Sequence, residues 1–215
     1  MFTKKENLAI IISIVMLTFI FGFNDNAEVF VFRNWFSNFV LVFVMVCITV
    51  IFREAVIKLF AARHDAESEY AIWQLQRFWF KDKNKLPKPI PIGLIISLFV
   101  AFLSNGLAFF TAIGEHKLSE RGSSRTWRKY FTLTYFEEAQ IVSMGILSSL
   151  FLAILVLFLG KTFNVNVGRL ISINFWLALW NMVPFSSLDG AKMFFGSLLM
   201  WIFILVFFVI AFLLI

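Results

Sequence analysis

Six long apolar runs divide this chain, at about 8–23, 36–62, 92–113, 139–160, 168–182 and 193–215. Each has roughly the length that crosses a bilayer, although the fifth is short. A soluble chain of 215 residues has no use for so much apolar surface: 60% of the residues are hydrophobic, 15% are charged and the mean hydropathy is +0.87. Inside lipid every backbone N–H and C=O must be satisfied within the protein, so the expected fold is an all-α integral membrane helical bundle. The start of the chain, Lys4-Lys5-Glu6 ahead of the first run, resembles a signal peptide. It lacks a small-x-small cleavage site and reads as an uncleaved first span. The single cysteine, Cys47, lies mid-run, which excludes a disulfide framework and a cysteine metal site. A net charge of +6 would suggest nucleic acid in a soluble protein. Here it points to cytoplasmic loops facing anionic lipid, with the bilayer as partner and no nucleic acid.

The third run carries Ser104-Asn105-Gly106 at its centre, a turn signal between two apolar arms. It is either a sixth span or a re-entrant hairpin. The positive-inside rule separates the two. With six spans and a cytoplasmic N-terminus, ten Lys and Arg residues fall inside and seven outside. With 92–113 re-entrant, fourteen fall inside and only Arg33, Lys161 and Arg169 fall outside, Arg53 and Lys58 within the second run being counted on neither side. The second asymmetry is the usual one. The expected architecture is therefore five spans (8–23, 36–62, 139–160, 168–182, 193–215) plus a hairpin packed against the bundle, within a single membrane domain 1–215. The expected location is the plasma membrane.

Two basic inserts, 63–91 and 114–138, then lie together in the cytoplasm. The first ends in Leu86-Pro87-Lys88-Pro89-Ile90-Pro91, whose prolines impose an extended approach to the hairpin. The second contains Gly122-Ser123-Ser124, an exposed-turn signal. Its stretch Thr126 to Phe136, rich in Thr, Tyr, Phe and Trp, reads as a strand. That adds a small membrane-associated β element to the helical bundle. Glu137-Glu138 suits the N-terminus of the following helix.

Two polar segments within the apolar runs carry the chemistry. One is Arg53-Glu54-Ala55-Val56-Ile57-Lys58, followed by Ala61, Arg63, Glu69, Tyr70 and Trp73. The other is Asn181-Met-Val-Pro184-Phe-Ser-Ser-Leu188-Asp189-Gly190. Together they resemble the site-2 protease family of intramembrane zinc metalloproteases, in its compact archaeal form. The first is similar to the family's His-Glu-x-x-His helix and the second to its Asn-x-x-Pro-x-x-x-Leu-Asp-Gly motif. Between them, Ser143-Met144-Gly145 stands where the family has Ala-Gly-Pro, and only the glycine agrees. The resemblance covers roughly residues 36–200. It implies that Glu54 matches the general base, Asp189 the third zinc ligand, and Asn181, Pro184, Leu188 and Gly190 a groove for a substrate strand. Arg53 and Ile57 stand where the family has its two histidines. Arg offers only donors and Ile offers nothing, so neither binds zinc. A catalytic zinc needs three protein ligands, and Asp189 alone is not a site.

The remaining histidines, His64 and His116, read as solvated loop residues. A relocated zinc site from His64, His116 and Asp189 is geometrically demanding. Arg53 needs a partner at membrane depth, where a lone charge costs about 3 kcal/mol or more. It either pairs with Asp189 across helices or snorkels to water. Glu54 is a relic base in a wet cavity or a partner for Lys58 one turn on. Asn181 and Pro184 either expose backbone to a groove or simply end a helix. The expected function is a catalytically inactive, site-2-protease-like protein that needs no cofactor and binds or scaffolds a transmembrane or juxtamembrane segment of another protein. An active zinc metalloprotease with a rearranged site, and a transport or channel subunit, are the rival readings.

Overall fold

A computed structural model describes residues 3–24, 29–77, 85–121 and 132–214. The fold is mostly helical, with a small β element that does not close. Helix α1 (Lys4–Gly22) is followed by α2 (Phe32–Arg63), strands β1 (Ala66–Ile72), β2 (Leu75–Arg77) and β3 (Lys85–Ile90), then α3 (Ile92–Leu103) and β4 (Gly114–Glu120). The second half is helical: α4 (Tyr135–Phe163), α5 (Gly168–Met182), α6 (Asp189–Gly196) and α7 (Leu198–Leu214). Among the described residues, α1, α2 and α4 are long and apolar enough to cross a membrane. Their 19, 32 and 29 residues extend about 29, 48 and 44 Å at the helical rise.

Local chemistry sets the helix starts. Thr3 and Glu6 form a reciprocal capping box at α1, and Thr134 and Glu137 form another at α4. The second box corrects one expectation. Tyr135 and Phe136 are not strand residues; they open α4, because Thr134 satisfies the first orphan amides of that helix. Residues 126–131 of the expected strand lie outside the described residues. The β element is built elsewhere. Strand β1 pairs antiparallel with β4, from Ala66 opposite Glu120 to Ile72 opposite Gly114, and β2 pairs with β3. Pro87 and Pro89 lie in β3, in a two-stranded ladder that leaves an outer edge needing no amide donor. The last apolar run is also divided: α6 ends at Ser197, an extended residue (φ −161°, ψ 100°), and α7 starts afresh.

The 92–113 segment descends as α3, turns through Asn105 (φ 52°) and Gly106 (φ 74°), and returns without helix through 107–113. Gly106 supplies the left-handed geometry at no steric cost. The two ends of the segment lie side by side. Trp73 donates its amide to Ile113 O (2.9 Å) and accepts from Gly93 N (3.3 Å). A Cβ at Gly93 would stand 2.5 Å from Ile113 O. At the tip, Asn24 just beyond α1 donates to Asn105 O (3.1 Å), and Thr111 on the return arm donates to Trp176 O (2.9 Å). The segment is thus a closed hairpin pinned to α1 and α5.

Among the described residues, two large apolar cores fill the bundle, with smaller clusters around Ile57 and Trp73. One large core joins α4, α5, α6 and α7 around Ile146, Leu150, Ala178 and Met193. The other joins α1, α2, α3 and α5 around Ile20, Val46, Ala101 and Ile173. Helix α5 belongs to both, and polar pairs stitch it to α2: Arg169 to Asn38, Asn174 to Thr49 (3.2 Å) and Arg53 to Asn181 (3.0 Å). The residue numbers rise together, so α2 and α5 run parallel.

Candidate functional site

Four elements converge on a buried charged cluster where the second core ends. Helix α2 supplies Arg53, Glu54 and Ile57, β4 supplies His116, α5 supplies Asn181, and α6 supplies Asp189 and Lys192. Arg53 lies ten residues before the end of α2, about 15 Å along its axis. It is 6% exposed and does not reach solvent by snorkelling. Its Nη2 donates to Asp189 Oδ2 and to Asn181 Oδ1, both at 3.0 Å. Its Nη1 lies 3.6 Å from Glu54 Oε1.

His116 sits at the centre and is fully buried. Its Nδ1 is 2.6 Å from Asp189 Oδ2, its Nε2 is 2.9 Å from Glu54 Oε2, and its backbone amide donates to Asp189 Oδ1 at 3.1 Å. Both ring nitrogens therefore face carboxylates, the geometry of an imidazolium donating twice. Burial works against that charge. The Asp189 and Glu54 carboxylates outweigh it and raise the His116 pKa to about 9. Burial likewise would raise the Asp189 pKa, but His116, Lys192 and Arg53 hold it well below the usual carboxylate range. Lys192 donates its ammonium to His116 O. Asp189 opens α6, where the helix dipole also favours its negative charge.

Surrounding side chains support the cluster. The Tyr70 ring stands edge-on to His116 at 5.4 Å, and its hydroxyl is 2.8 Å from Ser13 Oγ. Burial pushes the Tyr70 phenol pKa upward. The Lys58 ammonium lies 2.8 Å from Glu6 Oε1 and donates to Ser68 O, so Glu54 turns to His116 rather than to Lys58. Gly145 lets α4 approach this face: a Cβ there would stand 2.6 Å from Ile57 Cδ1 and 3.2 Å from Arg53 Nε.

The four residues assigned to a groove have separate fates. Asn181 is buried and donates to Leu177 O (2.7 Å) while accepting from Arg53. Leu188 is buried in the Trp73–Phe110 cluster. Gly190 abuts the end of α5, where a Cβ would lie 2.4 Å from Val183 O. Pro184 alone is exposed, in the turn that follows α5. Its restriction on Val183, which is extended (φ −65°, ψ 121°), ends the helix.

His116 is the residue that sequence reasoning placed wrongly, as a solvated loop histidine. No local signal in the sequence marks it, because its burial follows from strand pairing. It pairs with Tyr70, and directly opposed residues of a strand pair share a face, so both rings are buried together. His64 caps the end of α2 through its backbone amide, seven residues beyond Ile57.

The zinc that the protease resemblance implies does not fit these residues. A guanidinium bonds the carboxylate that would ligate, Ile57 is fully buried and offers no donor atom, and both His116 nitrogens are engaged. Among the described residues, no three His, Cys, Asp or Glu side chains are arranged to hold a metal ion. The cluster can hold a proton and fix three helices and a strand. Two of its buried polar atoms, Arg53 Nε and Glu54 Oε1, lack a hydrogen bond. Comparison with protein-family models, with curated proteins and with solved structures returns no match.

Proposed function

We propose that this chain is a site-2-protease-like membrane protein without proteolytic chemistry, which binds or scaffolds a transmembrane or juxtamembrane segment of another protein. The observation that supports this reading best is the position of Arg53. Its guanidinium bridges Asp189 and Asn181, so a cationic side chain stands against the carboxylate that the resemblance assigns to zinc. A fixed positive charge and a metal cation compete for one carboxylate, and a covalently tethered charge needs no loading. The motif residues Asn181, Leu188, Asp189 and Gly190 then serve to join α2, α5 and α6.

The membrane arrangement in this proposal has five spans, a cytoplasmic N-terminus and a re-entrant 92–113 in the plasma membrane. The adjacency of Gly93 and Ile113 at Trp73 supports it, as does the parallel course of α2 and α5. Cysteines placed singly at Lys88 and Ser119, both exposed, should be labelled from one side of the membrane, and one at Arg33 from the other. Labelling of 88 and 119 from opposite sides refutes the hairpin.

The functional test is metal content together with cleavage and binding. Purified protein should carry no stoichiometric zinc and leave a generic transmembrane substrate uncut. A photo-crosslinker at Phe185, exposed beside Pro184, should still capture that substrate. Replacing Arg53→His and Ile57→His together should create zinc binding, since i, i+4 imidazoles would then face Asp189. Zinc in the unmodified chain, or cleavage, overturns the proposal.

A further inference from the structure

Away from the charged cluster, the surface of α5 carries two neighbouring cavities with lining residues in common. An apolar groove of about 540 Å³ runs between α5 and α7, walled by Ile171, Phe175 and Leu179 on one side and Phe208 and Phe212 on the other. The Phe175 ring lies 5.4 Å from Phe208 and 6.0 Å from Phe212, so aromatic rings form its floor. A more polar basin of about 410 Å³ lies at the start of α5, against Asn24, Gly106 and Arg169. Gly168 and Ser172 line both, so the two lie side by side on one amphipathic surface.

We infer that this surface binds one anionic phospholipid, its phosphate on Arg169 and one acyl chain between α5 and α7. Charge complementarity carries the assignment. Arg169 is half-buried at the basin and donates to the neutral Asn38 carboxamide. Among the described residues no carboxylate lies within ion-pair distance of it. Arg169 also stands in the first turn of α5, where the helix dipole favours an anion. The length agrees. From Gly168 to Leu179 the groove follows eleven residues of helix, about 16 Å, and one leaflet of hydrocarbon is about 15 Å thick. A second protein helix would bring apolar surface to the groove and no charge for the guanidinium. A phospholipid satisfies both halves. This inference stands independently of the proposed function.

The probes are phosphatidylglycerol and phosphatidylcholine, titrated into delipidated, detergent-solubilised protein and followed by native mass spectrometry and thermal unfolding. One phosphatidylglycerol should remain bound and raise the unfolding temperature, with phosphatidylcholine bound more weakly. Arg169→Gln should weaken phosphatidylglycerol by about fivefold or more, the usual weight of one basic residue at a lipid surface, and leave phosphatidylcholine unchanged. Phosphatidylglycerol brominated on its acyl chains should quench Trp176, which lines the groove, and Trp176→Phe should remove that part of the quenching. The quenching arm needs no change at Arg169 and keeps the test alive if that variant fails to fold. Soluble glycerol phosphate should not compete, because it lacks the chain. Equal binding of the two lipids, absence of Trp176 quenching, displacement by glycerol phosphate alone, or a dimer joined through α7 that excludes lipid would each overturn the inference.

Discussion

Arg53 and Arg169 stand at the two ends of the α2–α5 contact, and their surroundings differ in kind. Arg53 is buried and meets a carboxylate, a carboxamide and, at 3.6 Å, a second carboxylate. Arg169 is half-buried and meets the carboxamide of Asn38. A buried charge costs several kcal/mol unless it is paired, whereas a charge near a helix end keeps part of its hydration. Keeping Arg53 therefore obliges the fold to keep Asp189. Keeping Arg169 obliges it to nothing, and leaves a cation for a ligand. One arginine is part of the framework; the other is a feature of the surface.

The largest expected effect tests the framework half of that contrast. Asp189→Ala strips Arg53 and His116 of their shared acceptor and should destabilise by about 3–5 kcal/mol, as breaking a buried pair does. Arg53→Ala should cost a similar amount. The double variant should cost clearly less than the sum, because no lone charge remains. Thermal unfolding in detergent gives all three values. Additive losses would break the comparison, since Arg53 would then be no more structural than a surface residue.

Next in size is the pH dependence. Folding raises the His116 pKa from its ordinary 6.5 to about 9. A raised pKa contributes stability that is complete below the unfolded value and disappears as pH rises through the folded one. The unfolding temperature should therefore fall between about pH 6.5 and 9. The groups facing His116 are Glu54, Asp189, Lys192 and Tyr70, and the tyrosine is pushed above this window. His116→Gln should flatten the profile and lower its acid side. A wild-type profile already flat across the window would show that the imidazole is not held charged.

A smaller loss is expected at the α5–α6 junction. Gly190 packs on backbone: a Cβ added there would lie 2.4 Å from Val183 O and 2.6 Å from Met182 C. Gly190→Ala must displace α6 and with it Asp189, at about 1–3 kcal/mol. Gly145→Ala meets chiefly the flexible end of Ile57 and should cost less. If Gly145→Ala proves the worse, the cluster is held from α4 rather than from the α5–α6 turn.

These sites differ in how far the sequence disclosed them. The long apolar runs could be read directly, because 20 or so apolar residues have few other uses. The proximity of Arg53 to Asp189 was reachable through the cost of a lone charge at depth. His116 was not, since its burial depends on the pairing of β1 with β4 across the helix and hairpin that separate them in the chain. Strand register is a tertiary fact that no local pattern records. The break at Ser197 was hidden for a related reason: the run on either side is uniformly apolar, and only packing of α6 beneath Tyr135 O and Ala139 at Gly196 marks the bend.

Arg169→Gln should have the smallest effect on stability, and it sharpens the contrast most. In lipid-free detergent the change removes a half-buried charge whose contact is with Asn38, and glutamine can keep a hydrogen bond to that carboxamide. The expected change is within about 0.5 kcal/mol, as for surface substitutions that disturb no buried group. The same change at Arg53 would leave Asp189 without its guanidinium and should cost several-fold more. Adding phosphatidylglycerol should separate the two arginines again, since wild-type protein and Arg53 variants gain unfolding temperature from the lipid while Arg169→Gln gains little. A loss at Arg169 as large as that at Arg53, measured without lipid, would mean that the α2–α5 contact depends on charge at both ends, and Arg169 would join the framework.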